Sequence, residues 1–170
     1  MSVERAREIS ETVGARALVV GIVADLDLEA LLQLRAQARL GCLQLHGEEP
    51  PSVVSALLPH AYKAVRVGDA ADVARADAYP GEHVLVDARS VGALGGTGAR
   101  IDPAWVAGLA RRRKLTLAGG LRADNVAEAI AIARPFAVDV ASGVERAGDP
   151  RRKDLAAVEA FVAAARRPGF

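Results

Sequence analysis

The feature that most constrains this chain is a regular alternation of short apolar runs with segments of helical periodicity. The apolar runs have the length and the Val, Leu and Ala content of buried strands. They lie at residues 17–24, 42–46, 62–67, 83–88, 115–118 and 137–141. Helical spacing follows them at residues 28–38, 50–58, 70–78, 103–112, 123–133 and 153–166, and a leading helix at 3–13 has Ser2 as its N-cap. The alternation predicts a parallel α/β sheet with right-handed crossovers.

The number of strand–helix units narrows the fold class. Six β/α units with a helix in front predict a parallel (β/α) barrel of TIM type, and we expect residues 1–170 to form one such domain. A closed barrel of this class has eight strands and roughly 200 residues or more, so six units indicate a chain truncated at its N-terminus. No G-x-G-x-x-G motif follows the first strand, which argues against a dinucleotide-binding fold.

Charge and cysteine content exclude several classes of function. The net charge of +1 argues against a nucleic-acid-binding surface, and the basic run at 111–114 fits a solvated helix end better than a binding patch. A single cysteine excludes an intrachain disulfide and a multi-cysteine metal site. No apolar run approaches the ~20 residues that span a bilayer, and the N-terminal residues do not resemble a signal peptide. We therefore expect a cytoplasmic protein without membrane or nucleic-acid partners.

The last two apolar runs each end in a glycine-containing turn. Leu117-Ala118 is followed by Gly119-Gly120, and the run at 137–141 is followed by Ser142-Gly143. Bare backbone amides at a strand end, next to a helix N-terminus, suit a phosphate dianion. The simpler interpretation is that these glycines only permit tight turns. Two such turns on successive β/α units favour a phosphate site, because barrels often bind phosphate after their last two strands.

One carboxylate is placed for acid catalysis. Asp87 stands at the carboxyl end of an apolar strand, before the long glycine-rich segment 89–99. Strand ends carry the catalytic side chains of β/α barrels, and a partly desolvated carboxyl group there can act as a general acid. A helix cap or an anchor for the loop is an equally good interpretation of Asp87 alone.

Other polar residues lie near strand ends. Gln44 and His46 alternate along one strand and so share a face, which indicates a ligand-facing wall or a hydrogen-bonded structural pair. Asp139 lies inside the last apolar run, where a carboxylate needs a partner, so it either orients a ligand or serves the fold. The run at 62–67 contains two cations, Lys63 and Arg66. Arg66 is nearer the carboxyl end of the strand and so is better placed to reach a site at the mouth of a barrel. A salt bridge of Arg66 at the rim is an equally good interpretation.

Taken together, these residues resemble the phosphoribosylanthranilate isomerase family, the β/α-barrel enzymes of tryptophan biosynthesis. The matching segments are residues 43–50, 85–88 with 95–98, 117–126, and 134–145 with 153–154. Their order and spacing both resemble the family, over nearly the whole chain.

The resemblance implies a reaction. Members of the family convert N-(5-phosphoribosyl)anthranilate to the carboxyphenylamino-deoxyribulose phosphate by an Amadori rearrangement. By motif position, Asp87 is similar to the general acid, and Gln44, His46 and Asp139 to substrate-binding residues. The phosphate cradle would consist of Gly96, Gly98, Gly119, Gly120, Ser142 and Gly143. The resemblance implies a phosphorylated sugar–anthranilate substrate and neither a metal nor an organic cofactor.

The sequence departs from the family in one respect. The family's first strand carries a Lys-Ile-Cys-Gly motif whose cysteine is the general base, and no segment here matches it. Cys42 is no substitute, because it stands at the start of its strand, opposite the expected mouth. The strands beginning at Ala17 and Ala137 would then be apolar edges, which predicts self-association or a complementing chain.

Three interpretations of function remain open from the sequence. The first is the isomerase, with the activity of this chain alone undecided. The second is a non-catalytic phosphate-binding barrel remnant or assembly partner, which the missing cysteine strand favours and the retained Asp87, Gln44 and His46 oppose. The third is another phosphate-binding barrel enzyme, but neither the catalytic lysine and glutamate of a synthase nor the metal-binding histidines of an epimerase are evident.

Overall fold

A computed structural model describes residues 1–87 and 103–166 of the chain. The helices in these residues are α1 (Val3–Val13), α2 (Leu28–Gln37), α3 (Pro51–Leu57), α4 (Ala70–Ala78), α5 (Pro103–Ala110), α6 (Val126–Ala133) and α7 (Leu155–Ala165). The strands are β1 (Val20–Val23), β2 (Cys42–Leu45), β3 (Ala61–Arg66), β4 (His83–Asp87), β5 (Lys114–Ala118), β6 (Ala137–Val138), β7 (Glu145–Arg146) and β8 (Asp149–Lys153). Two 3-10 helices lie at Gly14–Arg16 and Ser142–Val144.

The predicted parallel α/β fold is confirmed. Strands β1 to β6 follow one another in chain order in one six-stranded sheet. Within the described residues, no helix is long and apolar enough to cross a membrane. The chain divides into two compact units, and the prediction of a single domain over residues 1–170 stays a prediction.

The first unit comprises Met1–Ala64 and Ala78–Glu82. Its parallel strands pair Val20 with Cys42 and Leu43 with Ala61. Apolar side chains from β2 and from the helices beside it form the core, with Leu31, Leu43, Leu45 and Val54 at its centre and wholly buried. Helix α1 begins where the Ser2 hydroxyl accepts a hydrogen bond from the Arg5 amide, as the sequence predicted, and Asp27 caps α2 in the same way.

The second unit comprises residues 65–77 and those from 83 onward. Strand β4 pairs with β5 from His83 to Asp87, and β5 pairs with β6 at Thr116 and Leu117. Strands β7 and β8 form an antiparallel hairpin. The largest wholly buried side chains here come from β4, β5, α5 and α6, and Val84, Val86, Leu109, Leu115 and Val126 are among them.

Three predicted boundaries were wrong. Strand β1 begins at Val20 rather than at residue 17, after the 3-10 helix at Gly14–Arg16, and Leu18 is exposed. Helix α6 begins at Val126 rather than at 123, because Asn125 closes a turn by accepting a hydrogen bond from the Arg122 amide. The last apolar run forms only a two-residue strand, Ala137–Val138, before the backbone turns into the 3-10 helix at Ser142–Val144. Asp139 therefore follows the strand instead of lying inside it.

Candidate active site

Asp87 is the last residue of β4 and follows three buried apolar residues of the same strand. It is in register with Ala118, the last residue of β5, and its carbonyl oxygen accepts a hydrogen bond from the Val67 amide at 3.2 Å. The residue is half-buried. Because Gly119 follows Ala118 directly, Asp87 is one strand away from the start of a glycine turn. The predicted position at a strand end is confirmed, and its role as an acid stays a prediction.

The first glycine turn, Gly119–Gly120, follows β5 with both residues in the left-handed region, at φ +95° and +64°. Glycine adopts this conformation without steric cost. The Asn125 side chain holds the turn, since its amide nitrogen donates to the Gly120 carbonyl at 3.1 Å and its oxygen accepts from the Arg122 amide at 2.8 Å. Among the described residues, a β-carbon on Gly120 would meet no atom within 4 Å. Residues 1–87 and 103–166 therefore leave room for a ligand on this side of the turn.

The second glycine turn, Ser142–Gly143, begins the 3-10 helix after β6. A β-carbon on Gly143 would lie 2.0 Å from the Leu121 carbonyl oxygen, so only glycine lets this turn pack on the segment that follows the first one. The Lys153 ammonium donates to the Ala141 carbonyl at 2.8 Å and pairs with the Glu145 carboxylate at 3.1 Å. The structure thus brings the two predicted turns together, while phosphate binding by them stays a prediction.

Asp139 lies immediately after β6 and is half-buried. Its amide donates to the Leu117 carbonyl at 2.9 Å, which continues the β5–β6 pairing one residue beyond the strand. The carboxyl-bearing residue is therefore near the end of β5, the strand that leads into the first glycine turn. This position suits the predicted substrate-binding role.

Gln44 and His46 interact in the first unit. The Gln44 side chain is buried on β2, and its amide nitrogen lies within hydrogen-bond distance of the His46 ring nitrogen Nε2. Its oxygen accepts a hydrogen bond of 2.6 Å from the hydroxyl of Tyr62, a buried residue that the sequence analysis did not select. His46 follows the strand, half-buried, and its amide donates to the Val23 carbonyl at 2.8 Å. The predicted shared face is confirmed.

A buried ion pair lies beside this pair of residues and was missed by sequence reasoning. The Lys63 ammonium is 3.0 Å from the Glu49 carboxylate, and the two side chains are only 4% and 2% exposed. Burial raises the pKa of Glu49, but hydrogen bonds from the Asp25 amide and from Lys63, with the lysine's charge, outweigh it and hold that pKa below its ordinary value. Arg66, which the sequence favoured over Lys63, is exposed at the end of β3.

Two further predictions concern residues away from these clusters. Cys42 is the first residue of β2, as expected, and it is buried. Burial raises the pKa of its thiol, only partly opposed by a hydrogen bond to the Leu43 backbone, so the group is unsuited to act as a base near neutral pH. Gly96 and Gly98 lie outside the described residues. Within residues 1–87 and 103–166, no three His, Cys, Asp or Glu side chains are grouped to hold a metal ion.

A parallel α/β sheet with an acid and two glycine turns at the ends of its strands is the arrangement of a β/α-barrel enzyme. The model of the N-(5'-phosphoribosyl)anthranilate (PRA) isomerase family matches residues 1–164. The chain belongs to this family.

Individual relatives agree with this assignment. The chain is 40% identical to the N-(5'-phosphoribosyl)anthranilate isomerase of Moorella thermoacetica over 166 residues, which cover 96% of this chain and 73% of the relative. It is 41% identical to the Roseiflexus castenholzii isomerase, covering 96% of this chain and 77% of that one.

Solved structures of the family have the same fold. The phosphoribosyl anthranilate isomerase of Thermotoga maritima superimposes with a TM-score of 0.84 and 35% identity, over 97% of this chain and 80% of that one. A second structure, of a phosphoribosyl anthranilate isomerase in complex with reduced 1-(o-carboxyphenylamino)-1-deoxyribulose 5-phosphate, gives a TM-score of 0.83 at 33% identity over 97% and 79% of the two chains.

Proposed function

We propose that this chain is a phosphoribosylanthranilate isomerase, which converts N-(5-phosphoribosyl)anthranilate to the carboxyphenylamino-deoxyribulose phosphate in tryptophan biosynthesis. The observation that carries the proposal is the position of Asp87 in a chain of this family, one strand from the Gly119–Gly120 turn. Family membership over residues 1–164 favours the isomerase over a non-catalytic phosphate-binding remnant. We also propose a cytoplasmic location, in keeping with this biosynthetic role.

Asp87 is proposed as the general acid of the first step. Its carboxyl proton passes to the furanose ring oxygen while the bond from that oxygen to C1 breaks and the nitrogen lone pair forms a Schiff base. A base then takes the proton on C2, and the resulting enolamine gains a proton at C1 and loses the proton of its C2 hydroxyl to solvent as it becomes the ketose. Cys42 is not assigned as that base, because its thiol is buried at the opposite end of β2.

The phosphate group is assigned to the two glycine turns. Gly119, Gly120, Ser142 and Gly143 would supply backbone amides, and the family resemblance adds Gly96 and Gly98. Phosphate contacts far from the reacting carbons provide binding energy that helps to orient the sugar for reaction. We assign Asp139, Gln44 and His46 to contacts with the rest of the substrate. The related isomerase in complex with a reduced aminoketose phosphate supports a ligand of this class.

Self-association is proposed through the exposed edge of β1. Among the described strands β1 pairs only with β2, and Ile22 on β1 and Leu18 just before it are 66% and 68% exposed. An apolar edge strand pairs readily with another chain. The Thermotoga maritima isomerase is described as dimeric, which supports a second copy of this chain as the partner.

An isomerase assay on the purified chain tests the proposal. Phosphoribosylanthranilate is generated in situ, and the loss of its anthranilate-type fluorescence is followed with time. We expect turnover that is proportional to protein concentration and that falls by about 10²–10⁴-fold with Asp87→Asn. Binding of the reduced aminoketose phosphate without turnover would overturn the isomerase assignment in favour of the phosphate-binding remnant.

A further inference from the structure

The buried Lys63–Glu49 pair has no role in the proposed proton transfers. Removing two charges from water costs several kcal/mol per ion, and an apolar pair of similar volume is often as stable. Stability alone is therefore a weak reason for the presence of the pair. Its hydrogen bonds indicate another role, because three of the five that the pair makes to backbone groups go to Leu45 and Gly47, the residues on either side of His46.

Lys63 fixes the carbonyl groups that flank His46. Its ammonium donates to the Leu45 carbonyl at 3.0 Å and to the Gly47 carbonyl at 2.5 Å. It also contacts the Ala64 carbonyl at 3.2 Å and the Glu49 carboxylate at 3.0 Å. An ammonium has three protons, so these acceptors use its full capacity. No apolar side chain in this position could satisfy the two carbonyls.

Glu49 fixes the amide groups of the same turn. One carboxylate oxygen accepts from the Gly47 amide at 3.2 Å and from the Asp25 amide at 2.9 Å, while the other pairs with Lys63. Gly47 is thus held through both its N–H and its C=O. Asp25 completes the turn, since its carboxylate accepts from the Glu48 amide at 2.7 Å.

The same turn contains two signs of tight constraint. Asp25 has a φ of +57°, in the left-handed region, which Asp adopts more readily than most residues but less readily than glycine. A β-carbon on Gly47 would lie 2.2 Å from an Asp25 carboxylate oxygen, so no other residue fits there without a shift. Strained conformations persist where the surroundings over-determine them, and they are concentrated at functional sites.

We propose that Lys63 and Glu49 are positioning residues of the isomerase site, holding the backbone on both sides of His46 so that His46 and Gln44 meet the substrate in one arrangement. The inference rests on the proposed function of His46 and Gln44 in substrate binding. Neither Lys63 nor Glu49 is proposed to touch the substrate.

The test replaces the pair by apolar residues in a double variant, Lys63→Met with Glu49→Leu. Proteins in which apolar residues replace a buried ion pair commonly remain folded, whereas Lys63→Met alone leaves Glu49 charged and without its ion-pair partner. We expect the folded double variant to have a KM for phosphoribosylanthranilate raised about 10- to 100-fold, since small displacements of binding groups have effects of this order. Lys114→Met, on an exposed lysine at the start of β5, is the matched control and should leave KM unchanged.

A second measurement separates this inference from the proposed function. The chain has three histidines, so the ring signals of His46 can be assigned by nitrogen-15 NMR without any activity. We expect the His46 signals to shift in the double variant while those of His83 stay in place. If wild-type protein is inactive but His46 still shifts, the isomerase proposal fails and the positioning of His46 stands. Wild-type KM together with unshifted His46 signals in the folded double variant would overturn the positioning role.

Discussion

Gly143 lies so close to Leu121 that a β-carbon on it would stand 2.0 Å from the Leu121 carbonyl oxygen. The two glycine turns are therefore not independent, because a shift in one moves the other. A backbone oxygen cannot move aside as a flexible side chain can. Position 143 requires glycine because the backbone packs closely there, and not because the residue adopts a left-handed conformation.

Gly143→Ala should therefore separate the two turns. We expect at least a tenfold loss of affinity for the reduced aminoketose phosphate, measured by isothermal titration calorimetry, and a lower Tm. Gly108→Ala, within α5, is the control, since its β-carbon would lie 3.9 Å from the guanidinium groups of Arg111 and Arg112, an ordinary contact, and alanine stabilises a helix by roughly 0.5–1 kcal/mol relative to glycine. Unchanged affinity in Gly143→Ala would mean that the second turn is not part of the ligand site.

Gly120→Asp should weaken ligand binding through charge alone. The part of the chain that the structure describes leaves open space around this position, and Asp and Asn both tolerate the left-handed conformation better than most residues. A carboxylate facing a phosphate dianion should reduce affinity at least tenfold, about 1.4 kcal/mol, relative to Gly120→Asn. Because the two variants have the same shape, equal affinities in a titration would place the phosphate elsewhere.

Asp87→Asn should remove the proton donor and leave ligand binding largely intact. General acid catalysis typically contributes about 10²–10⁴-fold, so kcat should fall by that order while the affinity for the reduced aminoketose phosphate stays within a few-fold. Glu159→Gln makes the same chemical change on the exposed face of α7 and serves as the control. Full activity of Asp87→Asn in the fluorescence assay would remove the general-acid assignment.

Glu49 should make stability fall in acid. The folded protein holds the pKa of Glu49 below the ordinary value of 4.5, so the unfolded state takes up its proton first as pH decreases. The stabilisation is complete above the unfolded pKa and is lost as pH falls through the lower, folded pKa. The charged group that pairs with Glu49 is the Lys63 ammonium, while Asp25 contacts Glu49 through its backbone amide.

Urea unfolding as a function of pH measures this contribution. We expect Glu49→Gln to lower the free energy of unfolding at pH 7 by roughly 3–5 kcal/mol, because it leaves Lys63 buried without its counter-charge. Its stability should also depend less on pH than that of wild type below about pH 5. Glu11→Gln, on an exposed glutamate, should stay close to wild type at pH 7. Parallel pH profiles for wild type and Glu49→Gln would contradict the lowered pKa.

Ile22→Lys should disrupt the proposed association through β1. A lysine on an edge strand opposes pairing with a second chain. Light scattering should show a smaller particle than for wild type at the same concentration. Leu155→Lys introduces the same charge at another exposed apolar position, 75% accessible at the start of α7, and should leave the mass unchanged. A monomeric wild-type protein would contradict the association itself.

The local sequence pattern predicted the secondary structure that depends on neighbouring residues, namely the apolar strands and a helix cap. The apolar runs give β2 to β5 nearly to the residue, and the predicted cap at Ser2 begins α1. The hairpin of β7 and β8 was missed, because Asp149–Lys153 is polar and mostly exposed and so lacks the alternation of a half-buried strand. The segment forms a strand because it pairs with β7, and not because of its own residue pattern.

The same limit applies to the site. Asp87 and the two glycine turns were found because a strand end and a glycine are visible in the sequence. Lys63 and Glu49 were not, because a lysine in a strand and a glutamate in a Gly-Glu-Glu-Pro segment are both typical of solvated positions. What buries them is the contact between β2, β3 and the turn after β2, which brings together residues 14 positions apart.

The buried position of Cys42 has a practical consequence for spectroscopy. It is the sole thiol of the chain, it is shielded at the start of β2, and its raised pKa keeps it protonated near neutral pH. A thiol-reactive dye or spin label would therefore couple to a cysteine introduced on the surface far faster than to the native one. Surface cysteines can therefore be introduced without first replacing Cys42. Distances between labels at chosen surface positions can then be measured without altering the core.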